Sequence, residues 1–111
     1  VVGNAPPVAN PDVSNSPTLG PVTIPVLSND SEPDAQCMRV AAVTTPANGT
    51  AIINSVGCPN TDTVTYVPNL SCGIPCNDSF QYTVSDQNGG LATATVTVNQ
   101  VPVDLQSFKV E

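Results

Sequence analysis

Three carboxylates and an amide lie within the six residues Asn29-Asp30-Ser31-Glu32-Pro33-Asp34. Carboxylate, amide and backbone oxygens are the ligands that Ca²⁺ takes, about six to eight of them around one ion. A proline-restrained loop with alternating acidic residues can converge its oxygens on one point, and further oxygens are available from Asp86, Asp12 and Asn4. The competing interpretation is a solvated acidic loop that keeps the protein soluble. The spacing alone leaves both interpretations open.

The same carboxylates could serve as the acid and base of a glycosidase, which needs them on opposite sides of a sugar in a cleft with aromatic platforms. The chain has no tryptophan, and its aromatic side chains other than Phe108 alternate toward the predicted core, namely Tyr66, Phe80 and Tyr82. The absence of histidine excludes Ser-His-Asp and Cys-His nucleophiles and every His-ligated metal site. The sequence therefore predicts a domain that is not an enzyme.

The cysteines form an even set that comprises Cys37, Cys58, Cys72 and Cys76. In an acidic, lysine-poor chain this set is typical of an oxidising, extracellular compartment. A glycine and a proline between Cys72 and Cys76 allow a tight local loop, and the other two cysteines lie just outside the ends of a predicted hairpin. We therefore favour the disulfides Cys37–Cys58 and Cys72–Cys76 among the possible pairings. A four-thiolate zinc site is the competing interpretation, but the spacing of Cys37 and Cys58 does not supply the closely spaced cysteine pairs that such a site uses.

Charge restricts the partners. The chain has two basic and nine acidic side chains, for a net charge of −7. Nucleic acids and anionic membranes attract proteins through lysine and arginine, so neither is an expected partner. No apolar run approaches the roughly 20 residues that span a bilayer, so direct membrane insertion is not expected either.

The pattern of apolar residues predicts strands throughout. Twelve prolines are spread along the chain, and proline is tolerated in helices only in the first turn. Residues 80–85 and 92–99 alternate apolar and polar on either side of the glycine-rich turn 86–90, which predicts a hairpin with one buried and one wet face. Other strands are predicted near Val8, over 21–27 with Pro25 indicating a sheet edge, over 40–44, over 50–54 and over 63–67.

Two local features refine this prediction. The Asn48-Gly49 dipeptide between the strands 40–44 and 50–54 indicates a second hairpin. Residues 78–84 follow the pattern of strand F of immunoglobulin domains, so Tyr82 is either a tyrosine corner bonded to nearby backbone or a core-facing aromatic residue. About seven strands in roughly 100 residues predict an all-β, Ig-like sandwich of two sheets.

Several segments resemble bacterial cadherin-like and Ig-like tandem repeats. They are Asn4-Ala5-Pro6-Pro7-Val8-Ala9 with Asp12, Pro21–Leu27 leading into Asn29-Asp30, Val43–Pro46 before Asn48-Gly49-Thr50, Thr63–Pro68, and Asp78–Asp86. The resemblance covers about residues 4 to 99 and implies a Greek-key β-sandwich. Such repeats occur in large secreted or surface-attached proteins, including adhesins and polysaccharide-degrading enzymes.

Many of these repeats bind calcium. The resemblance implies that the principal ligands are Asp30, Glu32, Asp34 and Asp86, with Asp12 and Asn4 as further candidates. The family usually continues its acidic loop with Asp-Gly-Asp where this chain has Ala35-Gln36-Cys37, and it has a Phe-Gly turn where this chain has the Cys72–Cys76 segment. These departures imply the weak affinity of extracellular modules.

The expected domain comprises residues 1–100, and residues 101–111 are expected to be a linker or the start of a following domain. This tail resembles the opening of a fibronectin-like segment near the C-terminal sorting region of secreted bacterial proteins. The expected function is a non-catalytic structural spacer in an exported or cell-surface protein, monomeric as a fragment, with neighbouring domains of the same polypeptide as partners. The alternative is a module that binds polysaccharide or adheres to a surface protein.

Overall fold

The computed structural model describes residues 6–16, 19–33, 37–57, 61–69, 71–72, 75–87 and 89–100. Its strands are β1 (Asp12–Ser16), β2 (Val22–Ile24), β3 (Arg39–Val43), β4 (Gly49–Asn54), β5 (Thr63–Pro68), β6 (Cys76–Ser85) and β7 (Leu91–Gln100). No helix in the described part of the chain has the length and apolar character needed to cross a membrane. The all-β prediction is confirmed.

The strands form two sheets with the orders β1-β7-β6-β3 and β2-β5-β4. The first strand runs parallel to β7, and every other strand pair is antiparallel. The second, fourth and fifth strands therefore share one sheet, and the third, sixth and seventh share the other, which is the division of strands in the Ig fold. The predicted Ig-like sandwich is confirmed.

The β6–β7 hairpin is the longest pairing in the molecule. Its ten-residue strands are in register from Cys76 opposite Gln100 to Ser85 opposite Leu91. Alternate side chains of the hairpin enter the core between the sheets, namely Phe80, Tyr82, Val84, Ala94, Val96 and Val98. The threonines face outward, and the hydroxyls of Thr83 and Thr93 lie 3.3 Å apart. Because the period of a strand is two, this sequence could bury only one face.

The second predicted hairpin is wrong. The third strand pairs with β6 and the fourth with β5, so the turn through Ala47 and Asn48 carries the chain from one sheet to the other. The glycine that follows is needed for close packing, because a Cβ on Gly49 would lie 2.5 Å from the carbonyl oxygen of Val67 and 2.7 Å from the ring of Tyr66. The Asn-Gly dipeptide therefore marks a crossing point between sheets.

Two edges also differ from the prediction. Near Val8 the chain forms a single bridge to Ser31, and the first strand begins only at Asp12. The segment predicted over 21–27 pairs only over Val22–Ile24. This strand is at a sheet edge, as Pro25 indicated, and it ends before that residue because proline lacks an N–H donor.

Candidate functional site

The hydroxyl of Tyr82 is the centre of a buried polar cluster. The residue is fully buried, and its hydroxyl lies 2.6 Å from Asp30 Oδ2 and 3.1 Å from the carbonyl oxygens of both Asn10 and Val26. These partners are 52 to 72 positions away in the sequence, whereas a tyrosine corner bonds to backbone a few residues upstream. Tyr82 is thus a core-facing aromatic residue whose hydroxyl ties two distant segments to β6.

Asparagine side chains bring those two segments together. The Asn10 side chain donates to the carbonyl oxygen of Asn29 at 2.7 Å, and the Asn29 side chain donates to that of Pro11 at 3.0 Å. The backbone N–H of Asn10 also donates to Asp30 Oδ1 at 2.9 Å. This exchange of bonds places Asp30, at the end of a turn, beside Asp12, at the start of β1.

Asp12 and Asp30 lie side by side in a partly buried site. Burial, followed by the negative charge of Asp30, raises the pKa of Asp12 to about 6, although hydrogen bonds from Tyr82 and Asn29 act in the opposite direction. Burial also raises the pKa of Asp30. Among the described residues, Asp12 Oδ2 is buried without a hydrogen-bond partner. The geometry therefore favours a proton or a cation at this point.

The other predicted calcium ligands are not all in this cluster. Asp86 is buried and closes the β6–β7 turn, where its Oδ1 accepts the N–H of Gly90 at 2.9 Å. Glu32 is partly buried directly after the Val8–Ser31 bridge. Asp34 and Asn4 lie outside the described residues. Within the described ranges, no group of three or more histidine, cysteine, aspartate or glutamate side chains is arranged to hold a metal ion.

Asp62 is a buried anchor that the sequence analysis missed. Its Oδ2 accepts Arg39 Nε at 2.8 Å and the N–H of Val40 at 3.1 Å, while its Oδ1 accepts the N–H groups of Val56 at 2.7 Å and Gly57 at 3.2 Å. Burial alone would raise the pKa of Asp62, but these donors outweigh it and lower the pKa to about 2. One signal was available, since Arg39 is one of only two cations in the chain.

Asp78 has a similar role at the opposite end of the sandwich. Its carboxylate accepts the N–H groups of Ala47 at 3.2 Å, Asn48 at 2.8 Å and Ser79 at 2.8 Å, and the hydroxyl of Tyr66 at 2.7 Å. Burial, with the adjacent carboxylate, raises the pKa of Tyr66 well above its ordinary value. Asp78 thereby holds the crossing between β3 and β4 against β6.

The disulfide predicted between Cys72 and Cys76 is present, with 5.5 Å between the two Cα atoms. This bond excludes a four-thiolate zinc site. Cys37 is also disulfide-bonded, and its predicted partner Cys58 lies outside the described residues. The bond between Cys37 and Cys58 therefore stays a prediction.

The geometry defines an Ig-like sandwich whose buried carboxylates bind its own backbone. Consistent with this class, residues 4–99 match the family model of the bacterial Ig domain, and the chain belongs to that family. A search of curated proteins found no match. Ig-like domains are generally non-catalytic modules of larger polypeptides, and bacterial Ig domains are common on surface proteins. The tail 101–111 lies outside both the match and the described residues.

Proposed function

We propose that this domain is a non-catalytic spacer of an exported or cell-surface protein, and that it holds its neighbours apart along one axis. The observation that carries the proposal is where the chain enters and leaves. Pro6 packs over Gly90 at the β6–β7 turn, where a Cβ on the glycine would lie 2.9 Å from Pro6 Cα. Gln100 pairs with Cys76 at the other end of the same hairpin. Ten residues of strand separate these ends by about 30 Å.

Both ends of the sandwich are fastened internally, which suits a rigid spacer. Near the entry, Asp62 joins Arg39 at the start of β3 to the segment after β4. Near the exit, Asp78 holds the β3–β4 crossing and the Cys72–Cys76 disulfide closes the start of β6. Polar groups used in this way are not available for chemistry on a substrate.

The spacer proposal is tested by single-molecule force spectroscopy, in which the domain is pulled through handles attached at two positions. Because β1 runs parallel to β7, tension between the two chain ends shears these strands along each other and loads their hydrogen bonds together. Handles at residues 19 and 101 should instead separate the pair one bond at a time. We expect unfolding at clearly higher force in the end-to-end direction. Equal or lower force in that direction would contradict a load-bearing spacer.

We propose in addition that Ca²⁺ binds weakly beside Asp12 and Asp30 and stiffens the entry end. Two observations support this proposal. The carboxylates of Asp12 and Asp30 lie close enough to interact, and Asp12 Oδ2 is buried without a hydrogen-bond partner. The remaining candidates from the acidic loop and the chain start are Glu32, Asp34 and Asn4, with Asp86 in the next turn.

The calcium proposal is tested with millimolar CaCl₂, with EDTA and MgCl₂ as controls. Bound calcium raises the melting temperature by mass action and shifts the amide resonances of Asn10 and Asp30. The Asp12→Asn variant should lose this response. Identical melting curves and spectra in CaCl₂ and EDTA would remove calcium from the proposal without affecting the spacer.

No specific observation favours the polysaccharide-binding alternative. Sugar sites generally use exposed aromatic rings that stack on the apolar faces of the sugar. The aromatic side chains in the described part of the chain are all buried, namely Tyr66, Phe80 and Tyr82.

A further inference from the structure

A small apolar groove lies at the exit end of the sandwich. Leu19, Gly20 and Pro21, which precede β2, form one wall, and Val67, Pro68 and Asn69, at the end of β5, form the other. Its volume is about 250 Å³. The side chain of Leu19 is 39% exposed at its rim, so the groove is open to solvent.

Two prolines explain why the groove exists. The second and fifth strands pair from Ile24 opposite Val64 to Val22 opposite Tyr66. Continuing the same register would place Pro21 opposite Val67 and Gly20 opposite Pro68. Neither proline has an N–H group to donate to the ladder, so the pairing ends and the two segments leave a gap. The gap is thus built into the sequence.

The chain leaves the sandwich directly beside this groove. Gln100 is fully buried, and its side-chain amide donates to the carbonyl oxygen of Gly20 at 2.7 Å and accepts the N–H of Gly20 at 3.2 Å. The last residue of β7 is therefore clasped to a residue of the groove wall. Whatever follows Gln100 starts within reach of the groove.

We propose that the segment 101–105 of the same chain occupies this groove. Its apolar residues Val101, Val103 and Leu105 alternate with Pro102 and Asp104, so an extended segment presents one apolar face and keeps the acidic residue away. A cavity of about 150 Å³ is enough to hold benzene, so the groove has room for one or two aliphatic side chains. A fully extended segment of this length spans up to about 18 Å.

A second copy of the domain is a poorer occupant. A stable protein–protein interface buries about 800 Å² on each partner, far more than a groove of about 250 Å³ supplies. The adjacent segment of the same chain is tethered, so its local concentration at the groove is in the millimolar range. Seating this segment would fix the direction in which the chain leaves the domain, and this holds whether or not the domain acts as a spacer.

The proposal is tested by NMR on the full chain. Heteronuclear NOE values of residues 101–105 should approach those of β7. Val103→Asp should lower them and shift the amides of Gly20 and Asn69, whereas the matched control Gln106→Asp, which adds the same charge on the opposite face, should do neither. Low heteronuclear NOE values for residues 101–105 in the unsubstituted chain would overturn the proposal. So would equal changes in NOE values and amide shifts in the two variants.

A variant on the groove side separates docking here from docking elsewhere. Leu19→Ser removes an exposed side chain outside the core, so the sandwich stays folded, and it should release residues 101–105. If residues 101–105 keep high heteronuclear NOE values in Leu19→Ser, the segment docks at another place. Amide shifts at the groove that depend on protein concentration would indicate a second copy as the occupant. Either result would overturn the proposal.

Discussion

Asp62 is a fully buried carboxylate and Asp12 is a partly buried one, and the protein surrounds them differently. Asp62 accepts bonds from a guanidinium and three backbone N–H groups, which lower its pKa to about 2. Asp12 is beside a second carboxylate with fewer donors, and burial with that charge raises its pKa to about 6. The number of donors within reach thus decides whether a buried carboxylate keeps or loses its proton.

Asp62 should make the domain sensitive to acid. Its folded pKa is below the ordinary value of 3.8, so its contribution is complete above about pH 4 and is lost as the pH falls toward 2. The contribution is about 2 kcal/mol. Urea unfolding between pH 2 and 5 should show a free energy of unfolding that falls as the pH is lowered. Asp62→Asn should remove this pH dependence and destabilise the protein at pH 7. Asp104→Asn is the control, and an unchanged slope in Asp62→Asn would contradict the assignment.

Asp12 should give the free energy of unfolding the opposite pH dependence. Its folded pKa is raised from 3.8 to about 6, so its contribution is complete below about pH 4 and is lost as the pH rises through 6. In EDTA at pH 7, Asp12→Asn should stabilise the domain by about 1 kcal/mol, with allowance for partial solvent screening. The gain should vanish at pH 4. A variant that is less stable than the parent at both pH values would show that the Asp12 charge is favourable.

Single elements of this fold are held in place by groups that belong to other elements. The crossing between β3 and β4 is fastened by Asp78, which lies on β6. The segment before β1 and the turn from Val26 to Asp30 are fastened by Tyr82, also on β6. The central strand therefore positions its neighbours through its side chains as well as through its ladder.

Alanine substitutions at two glycines can show how closely these elements approach each other. A Cβ on Gly49 would meet the carbonyl oxygen of Val67 at 2.5 Å, whereas a Cβ on Gly20 would meet nothing within 4 Å. We expect Gly49→Ala to cost more than about 2 kcal/mol through overpacking. Gly20→Ala should change the free energy of unfolding by less than about 0.5 kcal/mol. Denaturant unfolding of both variants measures the two changes in the free energy of unfolding. Equal changes would show that close packing at Gly49 does not limit the size of its side chain.

The whole molecule is a small sandwich with one disulfide at its exit end and a second disulfide expected at its entry end. The Cys72–Cys76 bond closes a loop with a sequence separation of 4. The expected Cys37–Cys58 bond would close a longer loop at the entry end, which restricts the unfolded chain more strongly.

Removing each bond should therefore have a graded effect. The double variant Cys37→Ser/Cys58→Ser should lose about 3 kcal/mol, and Cys72→Ser/Cys76→Ser should lose about 2 kcal/mol. A non-reducing mass of the first variant should show one remaining disulfide. Scrambled or free thiols in that variant, while the parent has none, would contradict the pairing of Cys37 with Cys58.

Features that depend on near neighbours in the chain were predictable. The β6–β7 hairpin follows from alternation around a glycine-rich turn, and the Cys72–Cys76 bond follows from a spacing that only a tight loop can use. The seven-strand Ig-like class follows from the number and spacing of such segments. These signals are local because side-chain period, turn residues and short loops are set within about ten residues of sequence.

The tertiary structure alone decided which distant groups meet. Asp62 faces Arg39 across 23 positions, Asp78 faces Ala47 across 31, and Asp30 faces Tyr82 across 52. The same packing sent β3 and β4 to different sheets despite the Asn-Gly signal between them. Nothing in local periodicity encodes such encounters, because they arise only when two sheets close over one core and buried polar groups meet the donors and acceptors of distant segments.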